Sequence, residues 1–373
     1  MEPPSRGQLL AEQLKQKMIA GIKSDRTDIY RRIKEGTVIP IIGNALRNDG
    51  IFDWYFSAAD STAATSRMTV DDHLSHAWAE VIEYPLPDTT NLARVALYNR
   101  VLSTDDAGAR VGYLNFLKSI LLIVASNDPL VSDQVPELEA QIEQRTFSEL
   151  VTELDYPRLP PGKDDPLRCL ARMPLPIYIT TSYYDFIERA LEAEDRPPHT
   201  QVCFWNNEPP HLEAEHKTQH DLVPSVEQPV VFHLFGLEQY PSTLVLSEAD
   251  YLDYLMKLIE DTVTTKTNTT NPILPLYLTT AMKTSSLVLM GYRLQDWDFR
   301  VLFRLIRQSS IRPYSLLLQV KPEQLARDEK SSAEVRTYLE DYFRGIFSVQ
   351  WGDPTEFVYQ LCAEYKKWTQ AES

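Results

Sequence analysis

The sequence predicts an α/β fold: a parallel sheet covered by helices, with a helical insertion between its first and second strands. Three observations predict it. Short apolar runs of strand length, "TVIPII", "LPIYIT", "PVVFHLF", "LVLM" and "SLLLQV", recur along the chain, separated by stretches with apolar residues every three or four positions. These runs are apolar nearly throughout, which is the pattern of strands covered on both faces of a parallel sheet. From about residue 65 to 150 the pattern is helical alone, and no strand-like run interrupts it.

In chain order, Leu9, Leu10, Leu14, Met18, Ile22 and Ile29 repeat at helical spacing and predict a helix over 6–35 with one apolar stripe, docked on its own domain or presented to another subunit. A strand over Thr37–Ile42 ends at Gly43 and a polar loop, "GNALRNDGIFDW"; strand then glycine opens the nucleotide-binding unit of many doubly wound folds. The helices "DDHLSHAWAEVI", "NLARVALYNRVL" and "VGYLNFLKSILLIVA" follow, closed by the Pro-rich loop "DYPRLPPGKDDP". "LPIYITTSYYDFIERALE" reads as strand, polar turn and helix, with Thr180, Thr181 or Ser182 as caps and Asp185 in the first turn. Residues 195–228 are polar and irregular. Their histidines, His199, His211, His216 and His220, match no standard metal spacing and read as a solvated loop. "PVVFHLFGL" is the next strand, "SEADYLDYLMKLIE" a helix capped by Ser247, and "PLYLTTAMKTS" another helical stretch. "LVLMGYRLQDWDFRVLFRLI" supplies a buried strand, a break at Gly291 and a helix that Asp296 or Asp298 can cap; "PYSLLLQV" is one more strand. Trp205, Tyr251 and Trp297 read as core or site wall.

Composition narrows the function classes. With 53 Asp plus Glu against 37 Lys plus Arg, a net charge of -16 repels a phosphate backbone, so direct nucleic-acid binding is not expected. Three scattered cysteines, Cys169, Cys203 and Cys362, fit a reducing cytosol and cannot form a four-cysteine zinc module. The first residues mix charges with apolar positions, unlike a signal peptide, and no run reads as the roughly 20 apolar residues of a membrane helix, so a cytoplasmic protein is expected. No G-x-x-x-x-G-K-[ST] motif is present.

Four strand ends carry polar sets: "GNALRND", "TTSYYD", "HLFG" and "GYRLQDWD". Singly these are glycine turns, helix caps and a satisfied core histidine. Together they fall at the carboxyl edge of the sheet, where open parallel sheets bind ligands. "PIYITTSYYDFIERAL" is similar to the strand, T-T-N-Y-D turn and acidic helix of the bacterial sirtuin-like NAD hydrolases of antiphage defence, the sirtuin branch without a zinc module. "VVFHLFGLEQYPSTLVLSEADYLDYL" resembles that family's strand, H-G turn and acid-acid-Tyr helix. "LVLMGYRLQDWDFRVLFRLI" resembles its late glycine-aromatic pair followed by D-W-D-F-R. The resemblance spans roughly residues 30 to 310. The chain departs from the family at Ala45, where a second loop glycine is expected, at Ser182, where the catalytic asparagine falls, and at Phe235, in place of the histidine before the glycine. His233 stands two residues earlier and, because strand side chains alternate, points to the same face as Phe235, one step further back from the site.

The resemblance implies an NAD glycohydrolase, cleaving NAD to ADP-ribose and nicotinamide and depleting NAD on infection. NAD is its substrate and no zinc is involved; the cysteine module of sirtuin deacylases is missing from the sequence. It implies catalytic roles for His233, Ser182 and Asp185, and NAD contacts for Gly43, Asn44, Ala45, Asp53, Thr181, Gly236, Gly291, Tyr292, Asp296 and Asp298. Each has a second reading: His233 as a packed imidazole, Ser182 as a helix cap, Asp296 and Asp298 as caps rather than acceptors of ribose hydroxyls. The alternative function is a module that has lost turnover and binds NAD or ADP-ribose as sensor or scaffold. The resemblance also implies a homo-oligomer and a separately encoded partner, a HerA-type hexameric ATPase. The domains expected are 1–36, an N-terminal helical segment; 37–64 with 165–373, a Rossmann-like sirtuin-type domain; and 65–164, the helical insertion.

Overall fold

The central strands are apolar because both of their faces are covered. In the computed structural model, which describes residues 28–59, 68–103, 105–159, 161–206, 222–264, 273–308, 315–321, 329–344 and 346–372, the first strand, β1 (Val38–Ile42), has every residue buried. It leads into α1 (Ala45–Ala59), and then come helices only: α2 (Val70–Val81), α3 (Leu92–Leu102), α4 (Asp106–Ser126), α5 (Val135–Ala140), α6 (Phe147–Glu153) and α7 (Pro166–Ala171). The sheet resumes with β2 (Ile177–Thr180), α8 (Phe186–Glu192), β3 (His199–Val202) and β4 (Val230–His233). After α9 (Glu248–Thr264) and α10 (Leu276–Thr284) come β5 (Ser286–Met290), α11 (Trp297–Gln308), β6 (Ser315–Val320), α12 (Glu329–Phe343), β7 (Ser348–Trp351) and α13 (Pro354–Glu372).

The seven strands lie in the order β3-β4-β2-β1-β5-β6-β7, and every neighbouring pair is parallel. This is a Rossmann-like α/β sheet flanked by helices. Ile41 of β1 pairs with Ile179 of β2 on one side and Leu289 of β5 on the other. From β1 the chain fills one side of the sheet through β2, β3 and β4, then crosses back to β5. The order therefore reverses at the β1–β5 boundary, the topological position at which a crevice opens above a parallel sheet.

The helical stretch between α1 and β2 shares the sheet's hydrophobic cluster. Phe147 of α6 packs on Tyr184, ring centroids 4.7 Å apart, and Trp78 of α2 packs on Tyr113 of α4 at 4.7 Å. Burying one such aromatic side chain contributes about 1.5–3 kcal/mol. Glu238, in the turn after β4, accepts from the N–H groups of Phe147 at 2.7 Å and Ser148 at 3.1 Å, fastening the N-terminus of α6 to the sheet. Burial pushes that carboxyl up to about 7.

Several elements differ from the sequence expectation. "GNALRNDGIFDW" is not a loop: α1 begins at Ala45, because Leu46, Ile51 and Phe52 are buried in the core and that packing outweighs the turn preference of Asn-Asp-Gly. The stretch expected to be irregular from 195 contains β3, a sheet-edge strand that needs no continuous apolar run. His211, His216 and His220 lie outside the described residues, as does 6–27 of the expected N-terminal helix; residues 28–34 are helical. Asp185, not Thr180, Thr181 or Ser182, precedes α8 as its cap residue, and its carboxylate binds Arg189 instead of a helix N–H. Ser247 caps α9 as the sequence predicts, its hydroxyl accepting from the Asp250 N–H at 3.2 Å. Ala107–Ser126, with a mean hydropathy of 1.3, is long and apolar enough to cross a membrane, where the sequence reading found no such stretch. Here it is a core helix. Leu117 and Leu121 are buried, Arg110 bonds Asp250 at 2.7 Å, and Lys118 bonds the Ile142 carbonyl at 2.9 Å.

Candidate active site

The β1 and β5 loops meet at two glycines. The Gly43 N–H donates to the Met290 carbonyl at 2.9 Å and the Ala45 N–H to the Gly291 carbonyl at 3.3 Å. A Cβ on Gly43 would lie 2.5 Å from the Gly291 oxygen. One on Gly291, whose φ is +74°, would lie 2.9 Å from the Leu46 nitrogen. Both glycines are thus required by the contact of one loop with the other. The Gly43 and Ala45 amides are used inside that contact.

Beside this crossing lies a cleft of about 320 Å³, in the size range of small-molecule sites. Asn44 and Asn48 line it from the β1 side, Thr181, Tyr183 and Tyr184 from the β2 loop, and Gly291, Arg293, Asp296, Trp297 and Asp298 from the β5 loop and α11. The helical stretch supplies Asp71 and Asp72 at the start of α2, Thr90 to Ala93 at the start of α3, and Tyr113 of α4. Tyr251 of α9 stacks on Trp297 with centroids 5.8 Å apart and forms one wall.

Four carboxylates converge here around one buried guanidinium. Arg293 Nη1 donates to Thr69 Oγ1 at 2.6 Å and Nη2 to Asp72 Oδ1 at 3.0 Å, while Nε faces Asp296 Oδ2 at 3.6 Å. Thr69 and Asp72 form the capping box of α2, so Arg293 ties that helix start to the β5 loop. Burial pushes Asp71 up; Arg293 and a 3.2 Å hydrogen bond from Asn48 Nδ2 partly offset it. Burial raises Asp296 to about 7. Burial, together with the neighbouring Asp296 charge, raises Asp298 to about 8. Asp298 also accepts from the Phe299 N–H at 2.6 Å. At neutral pH Asp296 and Asp298 are therefore poised to hold or release a proton.

Among the described residues, two buried acceptors at the cleft, Asn44 Oδ1 and Asn48 Oδ1, have no hydrogen-bond partner. Buried polar atoms are rarely left so, and hydroxyl or amide donors of a bound ligand would satisfy them. An acceptor pair, an aromatic wall and carboxyls raised toward neutrality suit a small ligand that carries hydroxyl groups and a cationic ring.

Of the residues singled out from the sequence, Asn44, Thr181, Gly291, Asp296 and Asp298 line the cleft. Tyr292 lies beneath it, buried, with its hydroxyl accepting from Thr181 Oγ1 at 3.1 Å. Gly43 and Ala45 belong to the loop crossing. Asp53 faces solvent on α1, where Ser57 Oγ donates to it at 3.2 Å. Gly236 adopts φ +95° against Thr243, whose carbonyl would lie 2.5 Å from an added Cβ, so its role is in that turn. Ser182, Asp185 and His233 are not cleft-lining. His233 is fully buried: Nε2 meets Glu188 Oε1 at 2.8 Å and Nδ1 the Ser182 carbonyl at 3.1 Å. Burial pulls its pKa down, but the Glu188 carboxylate, the Ser182 carbonyl and Asp185 together outweigh it, and the net shift is upward. The expectation that His233 and Phe235 share a face fails because β4 ends at His233. Phe235 turns toward Tyr251 and Tyr254, 5.5 and 5.2 Å away.

Sequence reasoning missed Asn48, Asp71, Asp72 and Tyr113 as cleft residues. Thr69-x-x-Asp72 before an apolar run was a readable capping signal, but nothing local ties it to Arg293, 221 positions beyond Asp72. Among the other aromatics, Trp205 is core, its Nε1 donating to the Thr243 carbonyl at 2.8 Å.

Residues 176–343 match the family model of the SIR2-like domain, a segment that runs from β2 through α12 and leaves out β1 and the helical stretch. No curated protein matches the chain. Across that segment the chain is similar to the SIR2-like family, which supports a sirtuin-like α/β domain with NAD-related chemistry.

Proposed function

We propose that the chain is an NAD glycohydrolase that releases nicotinamide and leaves ADP-ribose. The observation that carries this reading is the convergence of Asp71, Asp72, Asp296 and Asp298 on one cleft at the β1–β5 reversal. Cleavage of the nicotinamide–ribose bond builds positive charge at the anomeric carbon, and carboxylates fixed beside it stabilise that charge without reorganising. Asp298, whose carboxyl burial pushes up to about 8, takes a proton from the attacking water in this reading. Asn44 and Asn48 accept from the ribose hydroxyls, and the Tyr251–Trp297 pair shields the bond from bulk water. Partial protonation of the cluster at neutral pH also reduces its repulsion of the pyrophosphate, and the N-terminus of α11 beside it favours negative charge.

His233 supports this site from outside. With both ring nitrogens engaged, it holds the Ser182 carbonyl and so the 181–184 loop, three of whose residues, Thr181, Tyr183 and Tyr184, line the cleft. Purified protein incubated with NAD should release nicotinamide and ADP-ribose in equal amounts.

A second reading, a binding module without turnover, is favoured by one observation: the Gly43 and Ala45 amides and the His233 imidazole, the groups expected to act on NAD, are all engaged internally. Calorimetric binding of NAD with no nicotinamide released would select it.

The resemblance to the antiphage branch supports NAD depletion during infection as the biological setting, with a separately encoded HerA-type ATPase as partner. Self-association is supported by Val101, Leu102 and Ile123, apolar residues of α3 and α4 that are 50–75% exposed. Light scattering of the pure chain, and again with the partner added, tests both.

A further inference from the structure

Glu188, on α8 and outside the cleft, is a buried carboxylate that the proposed chemistry does not use. Its Oε1 meets His233 Nε2 at 2.8 Å and accepts from Thr200 Oγ1 of β3 at 3.0 Å. On the other side of the ring, Nδ1 stands 3.1 Å from the Ser182 carbonyl. A carbonyl only accepts, so Nδ1 carries a proton; an ionised carboxylate only accepts too, so Nε2 carries a second. Either neutral tautomer would set a bare ring nitrogen against one of these oxygens, in an interior that screens the repulsion little.

We propose that Glu188 is a positioning residue: it holds His233 as an imidazolium, and the chain Glu188–His233–Ser182 clamps the 181–184 loop in place as the β2 wall of the cleft. The other ties of that loop are neutral. The Ser182 N–H donates to Thr180 Oγ1 at 2.9 Å, the Thr181 hydroxyl to Tyr292 Oη at 3.1 Å, and the Tyr183 carbonyl accepts from the Glu238 N–H at 2.7 Å. Among these ties the one from His233 alone carries a charge, which makes it the strongest and the one that pH can undo.

Among the described residues, the charged groups facing the ring are Glu188 and, from the cap position of α8, Asp185, whose carboxylate Arg189 holds at 2.6 Å. Burial opposes the imidazolium, but both carboxylates and the Ser182 carbonyl favour it, and the net shift is upward. The clamp is therefore complete below the ordinary imidazole value of 6.5 and is released as pH rises through the raised value of the folded ring. Glu188→Ala removes the group that fixes the ring. Glu188→Gln keeps one, because its amide donates to Nε2 of a neutral ring whose Nδ1–H still reaches Ser182. The consequence for turnover, a KM that rises when the wall loosens, rests on the proposed NAD cleavage; the clamp itself does not.

The test reads the ring and the loop by nuclear magnetic resonance of the full chain without NAD, so that a failure of the NAD-cleavage reading leaves it intact. With nitrogen-labelled histidine, and His233 identified by the signals lost in His233→Gln, both ring nitrogens should carry protons at about pH 7.5, where a free imidazole is mostly neutral. In Glu188→Gln the ring should be neutral and protonated on Nδ1 only, with amide exchange across 181–184 as slow as in wild type. In Glu188→Ala that exchange should quicken by about tenfold, the loss of roughly one hydrogen bond. A neutral His233 ring in the wild type at that pH overturns the imidazolium, and exchange in Glu188→Ala equal to wild type overturns the clamp.

Discussion

Arg293, in the loop after β5, donates to Asp72 at the start of α2, across 221 residues of chain. Through this contact a helix from the stretch between β1 and β2 becomes a wall of the cleft at the carboxyl edge of the sheet. The guanidinium is nearly buried, with Thr69 and Asp296 as its other neighbours.

Arg293→Ala should destabilise the fold by about 3–5 kcal/mol, chiefly because Asp72, with 15% of its side chain exposed, would stay largely buried and lose its counter-charge. Arg293→Lys should recover only part of this, since an ammonium cannot span Thr69 and Asp72 together. Denaturant unfolding of the three proteins measures the difference.

Asp298→Asn should lower kcat for NAD cleavage by about 10²–10⁴-fold, the usual contribution of a general base. In the wild type, kcat/KM should rise with pH toward about 8 as Asp298 ionises. The variant should lose that limb in a pH–rate profile.

The same group ties stability to pH. Asp298 holds its proton up to about 8 when folded, against an ordinary value of 3.8, so the native state binds more protons between those limits. Its contribution to stability is complete below about pH 4 and is lost as pH rises through about 8. Asp296, raised to about 7, acts in the same direction. Melting curves should show wild type losing stability from pH 5 to 8 more steeply than Asp298→Asn, with the variant ahead by roughly 2–4 °C or more at pH 8.

His233→Ala should cost about 1–3 kcal/mol of stability by leaving Glu188 Oε1 and the Ser182 carbonyl without their imidazole partner. If His233 acts only by holding the loop, kcat falls by up to about a hundredfold while the pH limb set by Asp298 persists. Loss of that limb in steady-state kinetics would instead make His233 the titrating base.

The strands that carry the site were legible because burial on both faces demands continuous apolar runs, as in β1 and β5. The edge strands β3 and β7, "HTQV" and "SVQW", were not, since an edge is only partly covered and tolerates polar residues. At the site, Asp296 and Asp298 stood out by following a strand and a glycine. Asp71 and Asp72 did not, because their position beside Arg293 comes from packing of distant segments. His233 was visible as an unusual residue at a strand end, but the partner that engages it, Glu188, sits on a separate helix and left no local trace.

The most direct test of the central claim compares nicotinamide release from NAD by wild type, Asp298→Asn in the cleft and Asp53→Asn on the solvent face of α1. The account predicts release by wild type and Asp53→Asn at equal rates, and a loss of at least about a hundredfold in Asp298→Asn. Wild-type rates in Asp298→Asn, or intact NAD with every protein, would contradict it.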